Sequence, residues 1–131
     1  MQKQFDKIKI GGVKISDKLL RICVVLPVNL SSETSRIFRI LAEEKIPMLF
    51  LTIDRKGGDI STSCCVDLEH EDRARVLIES DSVLKDHARF TPDVVLLSMF
   101  PHQSQLVVFG VSLHALGKAN LPILDFSSSL A

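Results

Sequence analysis

Residues 19–53, LLRICVVLPVNLSSETSRIFRILAEEKIPMLFLTI, change their hydrophobic period twice, and that change decides the fold. Leu20, Ile22, Val24 and Leu26 alternate with Arg21 and Cys23, so the first part is a strand with one apolar face. Ile37, Phe38 and Leu41 then recur at helical spacing, with Arg36, Arg39, Glu43 and Glu44 turned towards water. Ser31 or Ser32 is placed to cap this helix, and Glu33 suits the positive end of its dipole. Pro47 stops the helix, and MLFLTI is the next strand.

The same reading extends outward. RKGG is a turn, which makes DISTSCCVDL the second arm of a hairpin. EHEDRARVLIES returns to helical spacing through Ala74, Leu77 and Ile78, and ARFTPDVV is extended around Pro92. Upstream, KIKIGGVKI alternates apolar residues around Gly11-Gly12 as a lead-in strand. The central order is strand, helix, strand, strand, helix, strand. Two amphipathic helices can cover only one face of the strands, so the economical packing is an α+β sandwich. The sequence predicts a four-stranded antiparallel sheet with both helices on one side, a ferredoxin-like βαββαβ arrangement.

A repeat follows. EEKIPMLFL (43–51) and GKANLPILDF (117–126) each place Pro between apolar residues after a helix, and Pro47 and Pro122 are 75 residues apart. That offset, without gaps, pairs Ile22 with Leu97, Phe38 with Leu113, Leu41 with Leu116 and Ile46 with Leu121. Three segments are therefore expected: a lead-in strand over 1–18, a complete unit over 19–92, and a truncated strand-helix-strand copy over 93–131.

Composition narrows the function. Lys plus Arg and Asp plus Glu number 16 each, which gives no electrostatic argument for nucleic acid or an anionic membrane. Seven Phe without Tyr or Trp leave few stacking platforms. LLRICVVLPV and VVLLSMFP are too short to span a bilayer, and the N-terminus lacks a signal-peptide core. Three cysteines, an odd number, argue against a disulfide framework and for a reducing cytoplasm.

The one dense cluster of reactive residue types is GGDISTSCCVDLEHEDR. Strand alternation sets Cys64 among Ile60, Thr62, Val66 and Leu68, and sets Cys65 on the opposite face with Ser61 and Ser63. The two sulfurs then cannot grip one ion, and the spacing of a zinc knuckle is missing. Asp67, Glu69, Glu71 and Asp72 crowd the start of a helix, where negative charge is favourable, with His70 a solvated first-turn residue. No Ser-His-Asp or Cys-His set emerges from His87, His102 or His114. RKGGD lacks the following helix of a phosphate loop. No metal, cofactor or catalytic residue is expected.

In this order the elements resemble the tandem ACT-domain regulatory region of aspartokinases over nearly the whole chain. VKISDKLLRICVVLPVNLSSETSRIFRILAEEKIPMLFLTI is similar to the family's lead-in strand, first strand, ligand loop, helix and second strand. GGDISTSCCVDLEHEDRARVLIES is similar to its hairpin and second helix, and LPILDFSSS to a segment of its second ACT unit. The resemblance implies a non-catalytic regulatory module that binds an effector amino acid at an interface between units, near the loop after the first strand. It implies no kinase activity, since no kinase motif is present.

Carried over residue by residue, the family's acidic loop position falls on Asn29, followed by Leu30. Its Pro-Gly pair falls on Ser31 and Ser32, and the next small residue on Thr34. The polar positions ending the second strand fall at Ile53 and Asp54, with Asp54 a candidate partner for an ammonium group. In the second unit the matching positions are Pro122, Ile123 and Ser127 to Ser129, Ser127 and Ser128 among them as ligand residues. Departures are Asn29 for an acid, Pro122 for an Asn and Leu130 for a Glu. The implied partners are an amino-acid effector, a second copy in a homodimer, and a separate catalytic subunit. Two other readings stand beside this one: an assembly module whose ligand site has degenerated, and a small metal-binding or thiol enzyme built on the Cys64–Asp72 cluster.

Overall fold

The computed structural model of the chain describes residues 12–100 and 106–127. Its strands are β1 (Gly12–Ile15), β2 (Leu19–Pro27), β3 (Phe50–Lys56), β4 (Asp59–Asp67), β5 (Ala88–Val94) and β6 (Leu97–Phe100). Its helices are α1 (Arg36–Glu43), α2 (Glu71–Glu79) and α3 (Leu106–Lys118). The chain divides into two compact units, Ser16–Leu96 and the described parts of Met1–Ile15 with Leu97–Ala131.

The first unit is the expected α+β sandwich. Its four strands lie in the order β3-β4-β2-β5, every pair antiparallel, which is the ferredoxin-like order. Alternation along β2 buries Leu20, Ile22, Val24 and Leu26 to 2% exposure or less. On β4 it buries Cys64 and Val66 on the same face. Ile37 and Leu41 of α1 and Ala74 and Ile78 of α2 complete this core, joined by Ile46 and Leu84. Each fully buried aliphatic side chain contributes about 1.5–3 kcal/mol of transfer free energy, so these positions dominate the stability of the unit. Over β5, the Arg75 guanidinium of α2 stacks on the Phe90 ring at 4.7 Å while bonding Glu71 at 2.9 Å.

The opposite face of the sheet carries no helix of this unit. Register places Arg21, Cys23, Ser61, Ser63, Cys65, Phe50, Thr52 and Asp54 there. Arg21 Nη2 donates to Ser63 Oγ at 3.1 Å, and Cys23 Sγ lies 3.6 Å from Ser61 Oγ. The two sulfurs of Cys64-Cys65 therefore point to opposite faces, as strand alternation requires. Cys65 is nevertheless only 7% exposed, because Arg21 and Phe50 flank it in register on the neighbouring strands.

The end of α1 shows what stops it. Lys45 adopts a left-handed φ of 56°, its amide bonds the Ala42 carbonyl at 3.0 Å, and the Ile46 amide bonds Leu41 at 2.9 Å. This is a Schellman motif with a buried apolar residue behind it, and Pro47 follows rather than causes the stop. The same closure ends α3: Asn120 has a φ of 56°, its amide bonds Gly117 at 3.1 Å, and the Leu121 amide bonds Leu116 at 3.0 Å. Every residue of the second motif lies 75 positions after its counterpart, so the repeat seen in the sequence is a repeat of structure.

In the second unit β1 pairs antiparallel with β6, Gly12 opposite Phe100 and Ile15 opposite Leu97. The lead-in segment, read from sequence as a separate piece over 1–18, thus places its described strand in the second unit. Ser112 Oγ bonds Met99 Sδ at 3.0 Å, and Phe126 meets Phe109 edge-on at 5.6 Å between centroids. The closing strand expected after α3 does not form over 121–127. A strand needs a neighbour to satisfy its backbone groups, and among the described residues no strand pairs with 121–127.

Candidate functional site

The loop after β2 is not the simple capped helix start that its serines imply. Val28–Glu33 form a 3-10 segment broken at Leu30 (φ −106°, ψ 19°), and α1 begins only at Arg36. Neither Ser31 nor Ser32 caps that helix, and the residue before it, Ser35, makes no side-chain cap bond. Thr34 closes the turn instead, its Oγ1 donating to the Ser31 carbonyl at 2.8 Å and its amide reaching the same oxygen at 3.2 Å. Leu30 packs half-buried against the core, which leaves Asn29, Ser31 and Ser32 exposed around it.

Two fasteners hold this loop. At its start the Val28 amide donates to the Gly58 carbonyl at 2.8 Å, tying it to the β3–β4 hairpin tip. Gly57 occupies that tip at φ 57°, a conformation a side chain would strain. At the other end Arg36 bonds Glu33 at 3.0 Å and grips Asp81 through Nε at 2.8 and 3.0 Å. Asp81 also accepts the amides of Val83 and Leu84, each at 3.0 Å. One guanidinium thereby joins the loop after β2 to the turn after α2.

Burial works against the charge on Asp81, but the Arg36 guanidinium and the Leu84 and Val83 amides outweigh it and hold its carboxyl below the ordinary value. A carboxyl with a depressed folded pKa contributes stability that is complete above its unfolded pKa and is lost as pH falls through the folded value. Asp81→Ala should therefore lower stability at neutral pH by about 1–2 kcal/mol, the sum of a lost turn cap and a lost, partly screened ion pair. Urea melts of both proteins at pH 7 and near pH 2–3 check this, because the difference should shrink in acid.

The other expected ligand residues divide. Ile53 stands opposite Thr62, on the helix face and the side of the loop. Asp54 stands opposite Ser61 on the helix-free face, so its carboxylate emerges away from the loop it was expected to serve. The residue that alternation does bring to the loop's side is Arg55, opposite Ile60. Counting on by two from Ile53 finds it, whereas Asp81, 45 residues from Arg36, leaves no local signal. Pro122, Ile123 and Ser127 belong to the second unit, exposed in the segment after α3, and Ser128 lies outside the described residues. A shallow groove of about 250 Å³ between α1 and α2, lined by Ile40, Glu43, Glu44, Val76, Leu77, Ser80 and Asp81, includes no residue of the loop. No group of three metal-ligating side chains occurs among the described residues, and no helix there is long and apolar enough to cross a membrane.

A sandwich of this strand order, with a fastened loop after its first strand and a repeated helix closure, has close structural counterparts. The ligand-free regulatory subunit of aspartate kinase from Thermus thermophilus superposes with a TM-score of 0.77 at 17% identity, covering 92% of this chain and 83% of that one. The fold is that of an aspartate kinase regulatory subunit. Aspartokinase alpha and beta subunits match at a TM-score of 0.75 and 17% identity, over 93% of this chain and 83% of that one. The aspartate kinase of Clostridium acetobutylicum matches at 0.69 and 18% identity, over 96% of this chain but 30% of that longer one. No protein-family model matches the sequence, and no curated protein matches it either. The likeness to the aspartate kinase regulatory fold is thus carried by backbone arrangement, at identities too low to transfer side-chain roles.

Proposed function

We propose that the chain is a non-catalytic regulatory module of the ACT type that binds a small amino acid, or a similar metabolite, at an interface between ACT-like units. The observation that carries this reading is the fastened turn Val28–Thr34 within an aspartate kinase regulatory fold. Its Asn29, Ser31 and Ser32 side chains are exposed, so they are free to meet the backbone groups of a ligand, with Leu30, Thr34 and Ile53 shaping the floor. Pro122, Ile123, Ser127 and Ser128 are the counterparts on the second unit. One of the similar structures contains alpha and beta subunits, which supports a separate catalytic subunit as the regulated partner. Three cysteines outside any disulfide fit a cytoplasmic location.

Melting the protein against a panel of amino acids tests the reading. A ligand present at a hundred times its Kd stabilises the folded state by about 2.7 kcal/mol, an easily measured shift. Absence of a shift with every member at millimolar concentration would refute effector binding.

An assembly role is favoured by a different observation. The edge strand β3 exposes Leu51 and Ile53, with Leu49 just before it, at 46%, 56% and 44%. An apolar row beside an unpaired strand edge is a surface that association covers. A homodimer follows from this reading, and light scattering at micromolar concentration should give twice the chain mass. A monomeric mass would remove it.

A further inference from the structure

Strand alternation sorts the charges of the β3–β4 hairpin by face. Asp54, Lys56 and Asp59 fall on the helix-free face, Asp54 opposite Ser61 and Lys56 opposite Asp59. Arg55 alone falls on the helix face, the side from which the loop Val28–Thr34 runs into α1. It is exposed and makes no hydrogen bond or ion pair among the described residues. Register runs from Arg55 to Ile60 on β4 and from Ile60 to Leu26 on β2, one residue before β2 ends at Pro27. Two strand spacings of about 5 Å separate Arg55 from the strand that feeds the loop, a gap that a long, flexible side chain largely bridges. The Val28–Gly58 bond at 2.8 Å keeps hairpin tip and loop in this relation.

The acids on that side are otherwise engaged. Asn29 is uncharged, and Glu33 is held by Arg36 at 3.0 Å. A ligand with a cationic side chain would meet Arg55 and no free carboxylate on the loop or on the helix face of the hairpin.

Resting on the effector reading above, we infer that the effector is a small amino acid whose side chain carries an anionic group, and that Arg55 selects it. A guanidinium presents paired N–H donors that match a carboxylate or phosphate, and a cationic side chain at the same place is repelled.

Calorimetric titration of the full chain with aspartate, O-phosphoserine, threonine and lysine tests this. Aspartate or O-phosphoserine should bind about tenfold or more tightly than threonine or lysine, and whichever of the two acids wins identifies carboxylate or phosphate as the group read. Arg55→Glu should weaken that binding by about tenfold or more. Lys56→Glu, the same charge change on the opposite face, should alter it by less than about threefold. Threonine or lysine binding as tightly as the acids, or full affinity retained by Arg55→Glu, would overturn the assignment and leave the effector reading standing. If none of the four binds the unaltered protein at millimolar concentration, this inference falls, and the amino-acid panel decides the effector reading separately.

Discussion

Ile22→Ala is expected to destabilise the protein by about 2–5 kcal/mol, the range for deleting a fully buried aliphatic side chain whose cavity cannot collapse. Ile22 has no solvent exposure and stands in mid-sheet on β2, opposite Cys64 on one side and Phe90 on the other. Neighbours on two strands and two helices fix its surroundings, so little relaxation is available. Domains of this size are stable by only about 5–15 kcal/mol, and a loss of this size is a large share of that. Val25→Ala on the same strand removes a side chain that is 37% exposed on the helix-free face and should cost under about 1 kcal/mol. Denaturant melts of the two variants measure the contrast, and equal midpoints would mean that β2 does not present the two faces described.

Cys64→Ser and Cys65→Ser should differ in the same way, although the residues are adjacent and the chemical change is identical. Cys64 is wholly buried among Ile22, Val66 and the helix side chains, where a new hydroxyl finds no designed partner. Leaving a buried polar group unsatisfied costs about 1–3 kcal/mol. Cys65 shares its face with Ser63 and Arg21, and its replacement by another hydroxyl should cost under about 1 kcal/mol.

Burial, with smaller contributions from Cys65 and Cys23, pushes the Cys64 thiol up to about 12. A thiol with a raised folded pKa contributes stability that is complete below its unfolded value and is lost as pH rises towards the folded one. The unaltered protein should therefore lose stability relative to Cys64→Ser above about pH 9, where the unfolded thiol ionises first. Paired melts at pH 7 and pH 10 read both effects. A Cys65→Ser penalty equal to that of Cys64→Ser would place both sulfurs in the core.

The cluster around Cys64 shows how far local pattern reaches. A period of two separates the sulfurs, and that separation holds in the folded chain because β4 is regular over nine residues. The pattern could not show that Cys65 is buried, since Arg21 and Phe50 reach it from strands far away in sequence. The helix start differs from the local pattern for a related reason. Ser31 and Ser32 have the chemistry of caps, but the chain leaves β2 through a turn whose start is bound to Gly58, and the helix is delayed to Arg36.

By itself the sequence determined the strands and helices of the first unit, the sandwich and the repeat at 75 residues, because these follow from side-chain periods and local helix-closing chemistry. Tertiary structure alone decided the rest: β1 lies beside β6, Arg36 grips Asp81, and the Val28 amide is tied to Gly58. Those are facts of register and long-range pairing, and a change of one residue in register reverses every side chain on a strand.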